Sequence, residues 1–214
     1  MSIIRRPSAG LIFVFATAFA VWRGPSVLAA EASDAVLERF EGTYGYVGGE
    51  AEIRALDRAI DAVVAQMNFL IRGIARRRLR TPNLPSKEVS VFVEKGQIRI
   101  ERPGQPEVSA PADGKPITWR HPTDGDVFQV SHGIDDSGAL YQRFEGEQSV
   151  SRNRFVLSMD DKRLTIDTVI TADRLPVPLR FKMTYERMPV EARGVHRVFA
   201  FWDSHLADLW KKLL

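Results

Sequence analysis

The stretch Arg163-Leu164-Thr165-Ile166-Asp167-Thr168-Val169-Ile170-Thr171, followed after Pro176 and Pro178 by Leu179-Arg180-Phe181-Lys182-Met183-Thr184-Tyr185-Glu186, decides the fold. Leu164, Ile166, Thr168 and Ile170 share one side of an extended chain, as do Phe181, Met183 and Tyr185. Thr165, Asp167 and Thr171 lie on the opposite side of the first segment; Arg180, Lys182, Thr184 and Glu186 do so in the second. A period of two with one apolar and one polar side describes antiparallel strands that face a core on one side and water on the other.

The same period extends upstream. Glu88–Val93 and Gln97–Glu101 flank Glu94-Lys95-Gly96, a hairpin turn with glycine where positive φ is easiest. Further strands are expected at 117–120, 126–132, 139–146 and 150–158, joined by Asp124-Gly125, Asp135-Asp136-Ser137-Gly138 and, before 163, Asp160-Asp161-Lys162. Short strands at regular spacing with polar turns predict an antiparallel up-and-down β-barrel, mainly β, with helices at its margins. Pro103–Pro116 holds four prolines and two glycines and fits neither period, so it is expected as a long functional or mobile connection.

Two segments carry a helical period. In residues 50–80, Ile53, Leu56, Ile60, Val63, Val64, Met67, Leu70, Ile71 and Ile74 recur at steps of three and four, which predicts one long amphipathic helix. Glu50 and Glu52 open it, and Arg72, Arg76, Arg77, Arg78 and Arg80 close it before Pro82, in keeping with the helix dipole. Trp202, Leu206, Leu209, Trp210 and Leu213 predict a short C-terminal helix over Phe201–Leu214.

The first thirty residues read as a secretory leader: Arg5-Arg6, an apolar run from Leu11 to Trp22, then Val27-Leu28-Ala29-Ala30. The apolar run falls short of the roughly 20 residues that a spanning helix needs. Cleavage is expected after Ala29, Ala30 or Ala32, which leaves 31–214 as a single periplasmic or secreted barrel domain without a stable membrane anchor. The full chain has 30 basic and 27 acidic residues; Arg5, Arg6 and Arg23 depart with the leader, so the remainder balances at 27 against 27. Net charge therefore gives no footing for a nucleic-acid partner. The absence of cysteine excludes disulfides, thiolate metal sites, cysteine nucleophiles and a lipoprotein anchor.

Residues 139–187 also resemble the barrel of small bacterial secreted proteins of uncharacterised function, described as lipocalin-like or calycin-like. The resemblance lies in Leu157-Ser158-Met159-Asp160-Asp161-Lys162-Arg163-Leu164-Thr165, the strand entry Leu175-Pro176-Val177-Pro178 and the strand end Tyr185-Glu186-Arg187. Gly42-Thr43-Tyr44 is similar to the Gly-x-Trp start of lipocalin strands, with tyrosine in place of tryptophan. This resemblance implies a barrel and an apolar ligand, with no catalytic residue or cofactor carried over.

Chemical motifs are sparse. Gly42, Gly45, Gly48 and Gly49 precede a helix without the Gly-x-Gly-x-x-Gly spacing or a following Gly-Lys-Ser/Thr. His132, Asp135, Asp136 and Ser137 include triad residue types, but their sequence proximity fits a hairpin turn better than a triad. His121, His132, His196 and His205 lack metal-ligand spacing and are expected at surface or half-buried positions. The arginines from Arg72 to Arg80 fit a solvated helix end, with an anionic headgroup as the functional alternative. The inward set Trp119, Phe128, Val130, Leu140, Phe144, Phe155, Met183 and Tyr185 is the candidate ligand surface. It serves equally as packed core, since a small barrel either fills with side chains or holds one ligand. A noncatalytic, exported barrel that binds a hydrophobic small molecule or lipid leads the readings. An interaction protein with a filled barrel is its rival, and an enzyme comes third.

Overall fold

Period-two segments become strands, and every neighbouring pair is antiparallel. The computed structural model describes residues 35–189 of the 214; the expected leader and C-terminal helix lie outside them. A helical turn α1 (residues 35–40) leads into β1 (Gly42–Tyr46), followed by α2 (Gly49–Val64) and α3 (Arg72–Arg80). The remaining strands are β2 (Glu88–Glu94), β3 (Gln97–Glu101), β4 (Val108–Pro111), β5 (Ile117–Arg120), β6 (Val127–Ile134), β7 (Leu140–Glu145), β8 (Ser149–Leu157), β9 (Arg163–Ala172) and β10 (Leu179–Arg187).

These ten strands form one sheet in the order β4-β3-β2-β1-β10-β9-β8-β7-β6-β5. Consecutive strands pair as a meander, and β1 links the first and last parts of the described chain by lying between β2 and β10. The sheet is thus a nearly closed barrel whose remaining seam runs between β4 and β5. Across that seam the Gly114 N–H donates to the His132 carbonyl at 2.9 Å. At the β2–β3 turn, Lys95 (φ 50°) and Gly96 (φ 74°) both take left-handed backbone, the requirement of a two-residue hairpin.

The strand β4 corrects the expectation of a structureless Pro103–Pro116. Val108 and Ala110 alternate inward with Ser109 outward, enough for a four-residue strand. Pro111 closes it on the side of the sheet where a missing N–H is tolerated.

The helical segment is likewise two helices and not one. A straight helix over residues 50–80 would extend about 45 Å, far beyond the end of the barrel. Instead the chain breaks after Val64, where the Arg72 guanidinium turns back and donates to the carbonyls of Ala65 (2.8 Å) and Met67 (3.0 Å). Asn68 accepts from the Leu70 N–H at 3.0 Å and fixes the turn. Leu56, Ile60, Val63 and Val64 are buried, whereas Leu70, Ile71 and Ile74, which share the periodic face in sequence, are exposed. Glu52 holds α2 to the sheet where β1 has ended: its carboxylate accepts from the Thr184 N–H (2.8 Å) and hydroxyl (2.7 Å).

Leu37 and Phe40 of α1 enter the buried core beside Tyr44, at the end of the barrel where β1 begins; the Tyr44 hydroxyl donates to the Phe40 carbonyl at 2.9 Å. The opposite end, where β1 finishes and β2 starts, carries α2, α3 and the segment that follows them.

Candidate functional site

A cavity of about 640 Å3 occupies the helix-bearing end of the barrel. Inward positions of successive strands build its wall: Trp119 from β5, Phe128 from β6, Phe144 from β7, Ser151 and Asn153 from β8, Ile166 and Thr168 from β9, and Phe181, Met183 and Tyr185 from β10. Residues 81–86, which lead from α3 into β2, and residues around Pro106 in the β3–β4 connection complete it. Trp119, Phe128 and Phe144 form an aromatic cluster, with centroid separations of 6.1, 6.0 and 6.2 Å. Such tilted and edge-on rings present broad apolar surface without collapsing onto each other.

One polar row crosses this interior. His132, Gln142, Asn153 and Thr168 stand directly opposite one another on β6, β7, β8 and β9, and all four are buried. The Thr168 hydroxyl donates to Asn153 Oδ1 at 2.9 Å, and Asn153 Nδ2 donates to Gln142 Oε1 at 3.2 Å. Gln142 Nε2 donates in turn to His132 Nε2 at 3.0 Å, which leaves the Nδ1 proton of His132 for the Ile98 carbonyl at 2.9 Å. This chain has a single direction and satisfies groups that would otherwise be costly to bury. Burial lowers the His132 pKa to about 4, so the ring is neutral, as its acceptor role at Nε2 requires.

Arg102 borders the same cavity just beyond β3, in phase with the inward Ile98 and Ile100. The residue is half-buried, and burial pushes its pKa below the usual arginine range against an opposing influence of Tyr185. Burial pushes the Tyr185 hydroxyl up to about 12, with Arg102 acting in the other direction. The phenol is therefore protonated at neutral pH.

Of the eight residues expected on the ligand surface, Trp119, Phe128, Phe144, Met183 and Tyr185 line the cavity. Val130, Leu140 and Phe155 do not; each is fully buried in packed interior. Leu140 and Phe155 face each other across β7 and β8, one row beyond the polar one and away from the cavity residues Phe144 and Ser151 of the same strands, and Val130 is flanked by Ile117 and Phe144. The expectation of surface or half-buried histidines fails for His132, which is wholly enclosed. It takes no part in a triad: Asp135 instead accepts from the backbone N–H of Ser137 and Ala139 and from Arg154 Nε at 2.7 Å, organising the β6–β7 turn. Arg76 and Arg80 pair with Asp61 and Asp57, as a helix end packed on its neighbour would. Among the described residues no group of His, Asp and Glu could hold a metal ion, and no helix is long and apolar enough to cross a membrane.

Arg102, Ser151 and Asn153 are cavity residues absent from the expected set, although strand parity marks each of them. Ser151 and Asn153 share the phase of Phe155, and Arg102 continues that of Ile98 and Ile100.

No protein-family model matches this sequence, and no curated protein matches it either. Among solved structures the chain is similar to secretory abundant heat soluble protein 4 from Ramazzottius varieornatus, with 14% identity, a TM-score of 0.41, and coverage of 71% of this chain and 96% of that one. It is also similar to a fatty-acid-binding protein from Manduca sexta, with 13% identity, a TM-score of 0.43, and coverage of 69% and 98%. A third is As-p18, an extracellular fatty acid binding protein, with 9% identity, a TM-score of 0.40, and coverage of 71% and 97%.

Proposed function

We propose that this protein is a noncatalytic binding barrel, exported to the periplasm or beyond, that carries or sequesters one hydrophobic small molecule or lipid. The observation that carries the proposal is the cavity of about 640 Å3 walled by Trp119, Phe128, Phe144, Phe181 and Met183. Pockets for a single drug-sized ligand span roughly 300–1,000 Å3, lined by apolar side chains with a few placed polar groups. The interior space favours ligand binding over an interaction protein with a solid barrel. Export rests on the leader-like first thirty residues.

Titration with the neutral apolar probe 1-aminoanthracene tests binding. Saturation near one equivalent is expected, with loss of binding in Ser151→Trp, which places a large ring where a small side chain borders the cavity. Unchanged far-UV circular dichroism in that variant would show that the barrel is intact. Absence of saturable binding by the wild-type protein would end the carrier proposal.

A further inference from the structure

We infer that the ligand is an amphiphile with a carboxylate head, seated at Arg102 and Tyr185 while its apolar body lies along Trp119, Phe144, Phe181 and Met183; this rests on the proposal that the cavity holds an apolar molecule. The other strand arginines direct attention to Arg102. Arg99 pairs with Glu101 on the outer face, Arg143 with Glu145 and Arg154 with Asp135. For Arg102 there is no ion pair or side-chain hydrogen bond among the described residues, although it is half-buried and borders the cavity. An enclosed cation without a counter-charge is costly, and the cost falls when an anion arrives with hydrogen-bond acceptors.

The surroundings specify the sign and shape of that anion. Among the described residues no aspartate or glutamate lines the cavity, so no acidic side chain there competes for the guanidinium. Tyr185, the group whose charge is coupled to Arg102, is a neutral phenol and can add an O–H donor to the same acceptor. A guanidinium presents two parallel N–H donors that match the two oxygens of a carboxylate. Trp119, Phe128, Phe144, Ile166, Phe181 and Met183 suit a hydrocarbon body, and among the described residues no second arginine or lysine lines the wall. The combination selects a molecule that is anionic at one end and apolar along its length.

Displacement of bound 1-aminoanthracene by hexadecanoate and by methyl hexadecanoate, at about pH 8 where a carboxylate is ionised, separates the head from the body. Wild-type protein is expected to take the acid at least about tenfold more tightly than the ester, a preference equivalent to about 1.4 kcal/mol. Arg102→Gln should abolish that preference by weakening the acid far more than the ester; Arg102→Lys should retain part of it. Equal affinity for acid and ester in the wild type, or a preference that survives Arg102→Gln, overturns the carboxylate seat and leaves the carrier proposal standing. Failure of the probe itself to bind overturns the carrier proposal instead. Should Arg102→Gln not fold, the wild-type comparison of acid with ester still decides the sign of the site.

Discussion

His132 is held at both ring nitrogens, by Gln142 on one side and the Ile98 carbonyl on the other, with none of its surface exposed. Protonation would place a second donor against the Gln142 amide and a charge in an enclosed space. Its folded pKa of about 4 lies below the ordinary value of 6.5 because of burial. The unfolded chain therefore takes up a proton between pH 6.5 and 4 that the folded chain refuses. Stability rises with pH through that window and falls as pH drops through it, by about 3 kcal/mol in total. Urea unfolding of the wild type at a series of pH values should show this slope, and His132→Asn should flatten it. Asp135 acts in a different range. Despite the opposing cost of burial, hydrogen bonds from Ser137, Arg154 and Ala139 hold its carboxyl well below the usual range, so its contribution is lost only below the ordinary carboxylate pKa.

At the scale of single elements, the two sides of each strand differ in consequence. Phe155 on β8 is fully buried between Leu140 and Ile166, so Phe155→Ala should cost about 3–5 kcal/mol. Lys182 on β10 points to solvent, and Lys182→Ala should stay within about 0.5 kcal/mol; chemical denaturation measures both. Glu52→Ala removes the acceptors of the Thr184 N–H and hydroxyl and should lower stability by about 1–3 kcal/mol, read as a reduced denaturation midpoint with an unchanged slope. Strand alternation made β9 and β10 legible in sequence because Asp167 on the first and Arg180, Lys182 and Glu186 on the second take the side opposite Leu164, Ile166, Phe181 and Met183. The strand β4 was obscured by prolines and glycines that its four residues could not outweigh. The break between α2 and α3 has only Asn68 as a mark in sequence: residues 65–71 contain neither Gly nor Pro, and the turn also depends on Arg72 reaching back to two carbonyls. Arg102 was missed for a related reason. Its inward phase follows from Ile98 and Ile100, but it lies one residue past the end of β3, where Pro103 draws attention to the loop.

For the whole molecule, β1 bridging β2 and β10 brings both ends of the described chain into one wall. The strand ends and α1 fill one end of the barrel with packed side chains, while α2, α3 and residues 81–86 surround the other. On β7 and β8 the polar row separates packed Leu140 and Phe155 from the cavity residues Phe144 and Ser151, while on β9 and β10 the cavity wall continues past it to Ile166 and Met183. A ligand inside this space would meet Met183 and Ile166. A ligand held on the outside by the exposed α3 region would meet Ile71 and Ile74. Intermolecular nuclear Overhauser effects between a saturating apolar ligand and methyl-labelled isoleucine and methionine distinguish the two positions. The expected result is contact with the Met183 and Ile166 methyl groups at one ligand per chain. Contact confined to Ile71 and Ile74, with Met183 and Ile166 silent, would contradict an interior binding site.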